Sequence, residues 1–168
     1  MYMEKYIIDY TEYEKYICKL VDFIKIYNVD VPFSAVHGFP RGGLPIAVHI
    51  SHHLEIPMIY NIPQFYNKYP NGHLLVVDDI IDTGKTYELF LDYINKQNNI
   101  NYTFAVLFYK TRSKYIPDIY VKKVSAWVVF PWEKFDELPS DYHQRIYSEF
   151  FSSNGSEEIE KLIEDVNS

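Results

Sequence analysis

The fold is decided by the stretch Leu74-Leu75-Val76-Val77-Asp78-Asp79-Ile80-Ile81-Asp82-Thr83-Gly84-Lys85-Thr86. Its first four residues are apolar and predict a strand buried on both faces, since such runs are typical of parallel sheets covered by helices. Two adjacent acids follow, and a short loop then opens a helix that we predict from residue 86 to about residue 96. The stretch therefore reads as strand, loop and helix of one β-α-β unit.

The alternation of strands and helices continues on both sides of this stretch. We predict helices at residues 11–27 and 44–54, strands at 33–37, 56–60 and 102–109, and a loop at 61–73. Thr11 and Glu14 form a capping-box pattern at the start of the first helix. Because parallel strands need long crossovers, this order predicts an α/β fold with a mainly parallel sheet flanked by helices. In such a sheet, ligands bind at the carboxyl ends of the strands.

Beyond Lys110 the alternation fails. Short strands are predicted at residues 118–121 and 126–130, and a final helix carries Ile159, Leu162, Ile163 and Val166. We interpret this part as a small C-terminal hood at about residues 113–135, followed by the helix. At 168 residues and 20.0 kDa, the chain 1–168 is expected to be a single domain with its core at about residues 30–112.

The composition argues against several classes of protein. Sixteen Lys plus Arg against 23 Asp plus Glu give a net charge of −7, which disfavours binding to nucleic acid. The single cysteine, Cys18, excludes an intramolecular disulfide. The sequence contains neither a charged-then-apolar leader nor an apolar run of about 18 residues. We therefore expect a cytoplasmic protein with no nucleic-acid and no membrane partner.

Three familiar motifs do not account for the sequence. Gly84-Lys85-Thr86 resembles the end of a nucleoside-triphosphate loop, but that loop needs a glycine five positions before Gly84, where Asp79 stands. The glycines of residues 38–43 lack the spacing of a dinucleotide-binding fingerprint. His49 and His53 lie four apart on a predicted helix beside His52, yet no acid or cysteine completes a zinc set, so a structural role is favoured.

The loop after the acid pair has the chemistry of an anion site. Thr83, Gly84, Lys85 and Thr86 can point backbone N–H groups at a phosphate, where the start of the helix adds about half a positive charge. Gly84 permits a close backbone approach, and the threonine hydroxyls add donors. Asp78 and Asp79 supply oxygen acceptors that suit sugar hydroxyls or a hard cation. The alternative is an acidic turn that only caps the helix.

Residues 76–86 resemble the signature of the type I phosphoribosyltransferases: a hydrophobic strand, two adjacent acids, two apolar residues, and then Asp-Thr-Gly-Lys-Thr. The resemblance implies that Asp78 and Asp79 bind the ribose hydroxyls of phosphoribosyl pyrophosphate (PRPP). It also implies that the loop formed by Asp82, Thr83, Gly84, Lys85 and Thr86 wraps the 5′-phosphate. It further implies a Mg²⁺ ion carried with the substrate, and a homo-oligomer, either a dimer or a tetramer.

A second element of the resemblance lies one strand-helix-strand unit upstream. Residues 39–45 follow the first core strand and are similar to the pyrophosphate loop of the family. The resemblance implies that Arg41, Gly42 and Gly43 bind the pyrophosphate. It also implies a cis peptide near the Arg41-Gly42 bond. Both loops would then meet at the same edge of the sheet.

The third element concerns the base. Lys110 and residues 127–133 resemble the base-binding residues of the 6-oxopurine enzymes, above all the xanthine-guanine branch. By this likeness Lys110 donates to the purine O6, Trp127 stacks on the ring, and the Val128 backbone meets the exocyclic edge. Glu133 stands where the nearest branch has Asp, and is assigned with Asp78 and Asp79 to the metal.

The resemblance implies an enzyme of purine salvage that joins PRPP to hypoxanthine, guanine or xanthine and releases pyrophosphate. Asp82, the third acid of the loop, would take or share the proton at purine N7, with Asp78 and Asp79 completing the catalytic acids. Two alternatives stay open. One is a non-catalytic regulatory protein that binds PRPP or a nucleotide, and the other is a phosphoribosyltransferase for a different base.

Overall fold

A computed structural model describes residues 4–27, 30–96 and 100–133. By its internal contacts the chain divides into two compact units, Met1–Val129 and Phe130–Ser168. The single domain expected from length alone stays a prediction. The helix predicted around residues 159–166 lies outside the described residues. Of the second unit, the described part is residues 130–133, where the rings of Phe130 and Trp132 stack with centroids 4.8 Å apart.

The first unit contains ten described elements. In chain order they are β1 (Lys5–Ile7), α1 (Tyr10–Ile26), β2 (Phe33–Gly38), α2 (Gly43–Leu54), α3 (Ile62–Lys68), β3 (His73–Ile81), α4 (Lys85–Lys96), β4 (Asn101–Lys110), β5 (Ile119–Val124) and β6 (Trp127–Val129). Within the described ranges, no helix is both long enough and apolar enough to span a membrane.

The main sheet has four strands in the order β2-β3-β4-β5, and all of them are parallel. Helices α1 and α2 pack against one another and against the strands, while α3 and α4 bury Phe65, Phe90 and Ile94 in a core cluster with the sheet. The predicted α/β class with a parallel sheet flanked by helices is therefore confirmed. The parallel arrangement brings the carboxyl ends of β2, β3 and β4 to one edge.

Aromatic rings fill the core beneath that edge. The ring of Tyr87 on α4 stacks on Phe104 of β4 with centroids 4.4 Å apart, and Phe90 meets Tyr102 edge-on at 5.1 Å. Phe39, from the loop after β2, packs against Phe104 at 5.7 Å. Such ring pairs stabilise the fold by more than the burial of their apolar surface alone would. They hold the loop after β2, the helix after β3 and strand β4 in fixed relation.

Strand β3 is longer than predicted. The sequence predicted a strand that ends in the two acids, but the strand continues beyond them to Ile81, and Ile80 and Ile81 pair with Phe108 and Tyr109. The difference arises because β4 is ten residues long and offers a ladder partner along its whole length. The acids therefore belong to a strand rather than to a turn.

The loop predicted at residues 61–73 is wrong in part, because α3 forms there. The Asn61 side chain accepts from the Gln64 N–H at 2.9 Å, a proline occupies the first turn, and Phe65 is buried at 1% exposure. Asn as N-cap followed by an early proline is a regular helix start. The strand predicted at 56–60 is reduced to one bridge between Val36 and Met58.

Three further expectations need correction. Helix α1 is capped by Asp9, whose carboxylate accepts from the Glu12 N–H at 2.8 Å, and not by the predicted box at Thr11. Strand β5 extends the main sheet, because it pairs with β4 rather than belonging to an appended hood. Strand β1, which was not predicted, pairs in parallel with β6 and forms a separate two-stranded ribbon.

Candidate functional site

The loop after β2 lies directly against the acid pair at the end of β3. The Phe39 N–H donates to the Val77 carbonyl at 3.0 Å. A Cβ added at Gly42 would lie 2.0 Å from Asp79 Oδ2, and one at Gly43 would lie 2.5 Å from the Val77 carbonyl oxygen. Neither position can accept a side chain without moving the acids or the strand. The backbone of this loop therefore approaches the acid pair as closely as packing allows.

A cis peptide is present in this loop, and it joins Pro40 to Arg41. The predicted bond, Arg41-Gly42, is the next one along the chain. The Arg41 side chain is exposed, so it is accessible to a ligand at this edge of the sheet. Of the three residues assigned to pyrophosphate, Gly42 and Gly43 thus lie against the acid pair, and all three lie at the start of α2.

Asp78 and Asp79 form a like-charged pair at the strand end. Burial, and then the negative charge of Asp79, raise the pKa of Asp78 well above its usual range. Each carboxylate accepts from the next backbone amide, with Asp79 N–H to Asp78 Oδ1 at 3.0 Å and Ile80 N–H to Asp79 Oδ1 at 2.7 Å. A hydroxyl donor or a cation at this point would relieve the repulsion between the two acids.

Helix α1 also contributes to the surroundings of the acid pair. Burial, and then the charge of Asp79, raise the pKa of the Tyr13 hydroxyl far above its usual value. Tyr13 therefore stays protonated near the acids at any ordinary pH. The sequence analysis left the first helix without a role.

The loop between β3 and α4 has the geometry of a phosphate cradle. Gly84 adopts φ +87°, a conformation that favours glycine, and its carbonyl accepts the first helical hydrogen bond from the Glu88 N–H at 2.8 Å. The amides of the first helical turn therefore lack helical partners. A cavity of about 100 Å³ opens here. Its lining includes Asp78, Asp82, Thr83, Gly84, Lys85 and Thr86.

The segment between β4 and β5, residues 111–118, lies over this cradle, and we call it the strap. A Cβ added at Gly84 would lie 2.7 Å from Tyr115 Cδ2, so the Tyr115 ring packs on the glycine. The Tyr115 hydroxyl donates to Glu88 at 3.1 Å and the Lys114 ammonium donates to the same carboxylate at 2.7 Å. The hydrogen bond from Lys114 is the main cause that lowers the pKa of Glu88.

Asp82 is held by a second cation of the strap. Arg112 donates from Nε to Asp82 Oδ1 at 2.7 Å and from Nη2 to Oδ2 at 2.8 Å. The Lys110 ammonium lies 3.5 Å from Oδ2 and 5.1 Å from the centroid of the Trp127 ring. Lys110 is buried, whereas Trp127 is 46% exposed. The structure thus brings Asp82, Lys110 and Trp127 together, with the ammonium between the carboxylate and the indole.

Val128 lies next to Trp127 in the ribbon. Its neighbours carry the ladder bonds to β1, from Trp127 N–H to Glu4 O at 2.8 Å and from Ile8 N–H to Val129 O at 3.0 Å. Because alternate residues of a parallel strand bond to one partner, the Val128 backbone groups point away from β1. This orientation is compatible with a contact to a base edge.

The residues assigned to metal belong to two different units of the chain. Asp78 and Asp79 are adjacent, whereas Glu133 belongs to the second unit, where its carboxylate accepts from the Phe130 N–H at 3.0 Å. Across residues 4–27, 30–96 and 100–133, no group of three or more His, Cys, Asp or Glu side chains could hold an ion by itself. Two carboxylates fit Mg²⁺, which keeps several waters and binds through one or two acids plus substrate oxygens.

Sequence reasoning missed Arg112, Tyr115 and Tyr13. Arg112 lies 30 positions after its partner Asp82, and no local pattern connects the two. The alternation Lys110, Arg112, Lys114 at the end of a strand was visible in the sequence. Alternate residues share one face of a sheet only as long as the strand continues, and β4 ends at Lys110. The alternation therefore could not show that Arg112 contacts Asp82 while Lys114 contacts Glu88.

Comparisons with known proteins agree with this geometry. The model of the phosphoribosyl transferase domain matches residues 66–136. A xanthine-guanine phosphoribosyltransferase of Cereibacter sphaeroides is 31% identical over 67% of this chain and 77% of its own length. The fold resembles a Helicobacter pylori xanthine-guanine-hypoxanthine phosphoribosyltransferase, 26% identical, with a TM-score of 0.67 over 81% of this chain and 96% of the other. A Pyrococcus horikoshii purine phosphoribosyltransferase is 27% identical, with a TM-score of 0.64 over 79% and 96%.

The acid pair should reduce the stability of the ligand-free protein at neutral pH. Since burial raises the pKa of Asp78 above its unfolded value, the folded state holds more protons between the two values, and stability falls as pH rises through that window. Asp78→Asn should therefore raise the unfolding temperature by several degrees at pH 8 and flatten its pH dependence. Thermal denaturation without Mg²⁺ measures both effects.

Asp92→Asn is the matched control, because Asp92 is an exposed acid on α4. This variant should leave the unfolding temperature and its pH dependence unchanged. A lower unfolding temperature for Asp78→Asn would contradict the expectation.

Proposed function

Because the chain belongs to the phosphoribosyltransferase family, we propose that it transfers the phosphoribosyl group of PRPP to a 6-oxopurine: hypoxanthine, guanine or xanthine. The products are the nucleoside 5′-monophosphate and pyrophosphate, so the reaction serves purine salvage. One observation carries the proposal. The acid pair, the phosphate cradle and Lys110 lie at the carboxyl ends of the neighbouring parallel strands β3 and β4, and the Lys110 ammonium lies between Asp82 and the Trp127 ring of the separate ribbon.

The sugar half of the site binds PRPP. Asp78 and Asp79 accept from the ribose hydroxyls, and the cradle of Asp82 to Thr86 holds the 5′-phosphate. The backbone of Gly42 and Gly43, with Arg41, receives the pyrophosphate. In a protein of net charge −7, these oriented amides and local cations supply the attraction that the overall charge does not.

Mg²⁺ is the expected cofactor. When bound, it neutralises charge on the pyrophosphate and helps it to leave. Asp78 and Asp79 would hold it through substrate hydroxyls or water, and Glu133 is a further candidate ligand. The repulsion within the acid pair supports a cation at this position.

The base half recognises the purine. Trp127 provides an exposed ring for stacking, and the Lys110 ammonium can donate to the purine O6. The Val128 backbone meets the exocyclic edge. An aromatic platform with a few polar groups is the usual composition of such a pocket.

The reaction exchanges one bond at the ribose carbon for another. The C1′–O bond breaks and its electron pair leaves with the pyrophosphate, while a purine nitrogen lone pair forms the new C–N bond. The sugar carbon becomes cationic in the transition state. The N7 proton passes to Asp82, and the electron pair of the N–H bond returns to the ring. Positioning and charge stabilisation supply most of the rate.

Two alternative functions can be distinguished from this one by an activity assay. A regulatory protein would keep the PRPP site without turnover, and an enzyme for another base would use a different substrate. The juxtaposition of Asp82, Lys110 and Trp127 favours chemistry on an oxopurine, since a pure PRPP sensor needs neither a base platform nor a proton acceptor. Cytoplasmic location and a dimer or tetramer stay predictions.

The test incubates the full chain with PRPP, Mg²⁺ and, in turn, hypoxanthine, guanine, xanthine, adenine and uracil, and follows pyrophosphate. Release with one or more of the oxopurines supports the proposal. Release only with adenine or uracil would assign another base. PRPP binding by calorimetry without release under any base would support the regulatory alternative.

Asp82→Asn should lower kcat by about 10²–10⁴-fold, because the amide cannot accept the N7 proton. The KM for PRPP should change little, since the backbone amides of the cradle are kept. Steady-state kinetics measure both values. A near-wild-type kcat would exclude Asp82 as the proton acceptor.

Trp127→Ala should mainly raise the KM for the purine, because the stacking surface is lost, while the KM for PRPP stays close to wild type. Trp127→Phe keeps a ring and should restore most of the purine affinity. Tyr120→Ala removes another exposed aromatic, on β5, and is the control. An unchanged KM for the purine in Trp127→Ala would contradict the assignment.

A further inference from the structure

Arg112 of the strap makes the only bidentate side-chain contact with an acid of the candidate site, within the ranges that the structure describes. Its Nε and Nη2 groups donate to the two oxygens of Asp82 at 2.7 and 2.8 Å. A planar guanidinium that meets both oxygens fixes the plane of a carboxylate, whereas an ammonium acts as a point charge. Arg112 itself is more than half exposed, so it does not serve to fill the core.

We propose that Arg112 is a positioning residue that holds the Asp82 carboxylate in the orientation needed to accept the purine proton. This inference rests on the proposed function, because it assigns Arg112 to the same reaction. In this role Arg112 makes its contact with the Asp82 carboxylate and not with the substrate. It acts through Asp82.

The hydrogen bonds leave the necessary acceptor capacity. A carboxylate offers about four lone-pair sites, two on each oxygen. Nε donates to Oδ1 and Nη2 donates to Oδ2, although Nη2 also lies 2.7 Å from Oδ1, and the Lys110 ammonium lies 3.5 Å from Oδ2. These are three hydrogen bonds for about four lone-pair sites, so the carboxylate keeps one acceptor site for the N7 proton. The carboxylate can therefore be clamped and still act as a base.

The neighbouring cation of the strap has a different role, which makes it a control. Lys114 pairs with Glu88, at 2.7 Å, on the first turn of α4 rather than with Asp82. Both cations are exposed, and both lie on the same segment. A loss of activity that follows only from changes at Arg112 therefore reports the clamp and not the general charge or order of the strap.

The experiment measures steady-state kinetics of Arg112→Ala, Arg112→Lys and Lys114→Ala with PRPP, Mg²⁺ and the best purine. We expect Arg112→Ala to lower kcat by about 10²-fold, the size of effect typical of a misplaced catalytic group. The KM for PRPP should stay within about twofold of wild type, because no ground-state contact is lost. Arg112→Lys should recover only part of kcat, and Lys114→Ala should keep it.

Two further measurements separate positioning from a merely structural role. Added guanidinium ion should restore part of kcat in Arg112→Ala and none in Asp82→Asn. In the Asp82→Asn background, Arg112→Ala should cost less than about threefold, because the clamp has nothing left to position. Full additivity of the two losses would overturn the proposal.

Other outcomes overturn it in distinguishable ways. An unchanged kcat in Arg112→Ala would leave the proposed function intact and exclude the clamp. A raised KM for PRPP with kcat unchanged would assign Arg112 to phosphate binding. If wild type releases no pyrophosphate with any base, the proposed function and the catalytic role fail together. In that case, a change in the NMR signal of the Arg112 Nε–H group on Asp82→Asn would show that the ion pair forms in solution but has a structural role only.

Discussion

The close approach of the Gly42 and Gly43 backbone to the end of β3 is the constraint on which the rest of the site depends. It requires parallel pairing of β2 with β3, two residues without side chains, and acids that stay within the strand instead of turning away. The aromatic layer of Phe39, Tyr87 and Phe104 maintains this approach from below. The loop after β2 is thereby fixed against the acid pair, and Asp78 also lines the cavity at the start of α4.

Charge at this edge is balanced locally rather than by the protein as a whole. Asp82 and Glu88, the two acids beside the phosphate cradle, each pair with a cation of the strap, Asp82 with Arg112 and Glu88 with Lys114. The carboxylates of Asp78 and Asp79 accept from the backbone amides of Asp79 and Ile80, respectively. The site therefore combines a neutralised half that suits phosphate with an acidic half that suits hydroxyls and a cation.

The local sequence was sufficient to predict the parts of the molecule whose interacting residues are close together in the chain. The run of buried residues before Asp78 and the glycine loop after β2 each act within a few residues, so the parallel sheet could be predicted. The cap at Asp9 and the helix begun by Asn61 were missed although their signals are local, because neighbouring patterns competed. The contact of Arg112 with Asp82 could not be predicted, because the two residues are 30 positions apart and meet only in the folded chain.

The ribbon of β1 and β6 is separate from the main sheet, whose strand β3 carries the acid pair and leads into the phosphate cradle. Trp127 and Val128 stand on this ribbon, and their only strand partner is the short β1 within the described residues. If Trp127 and Val128 bind the base as proposed, substitutions on this ribbon can change which base is accepted without altering the residues proposed to bind the sugar and phosphate. A separate ribbon of this kind would let proteins that share one fold evolve different base specificities while they keep the same reaction.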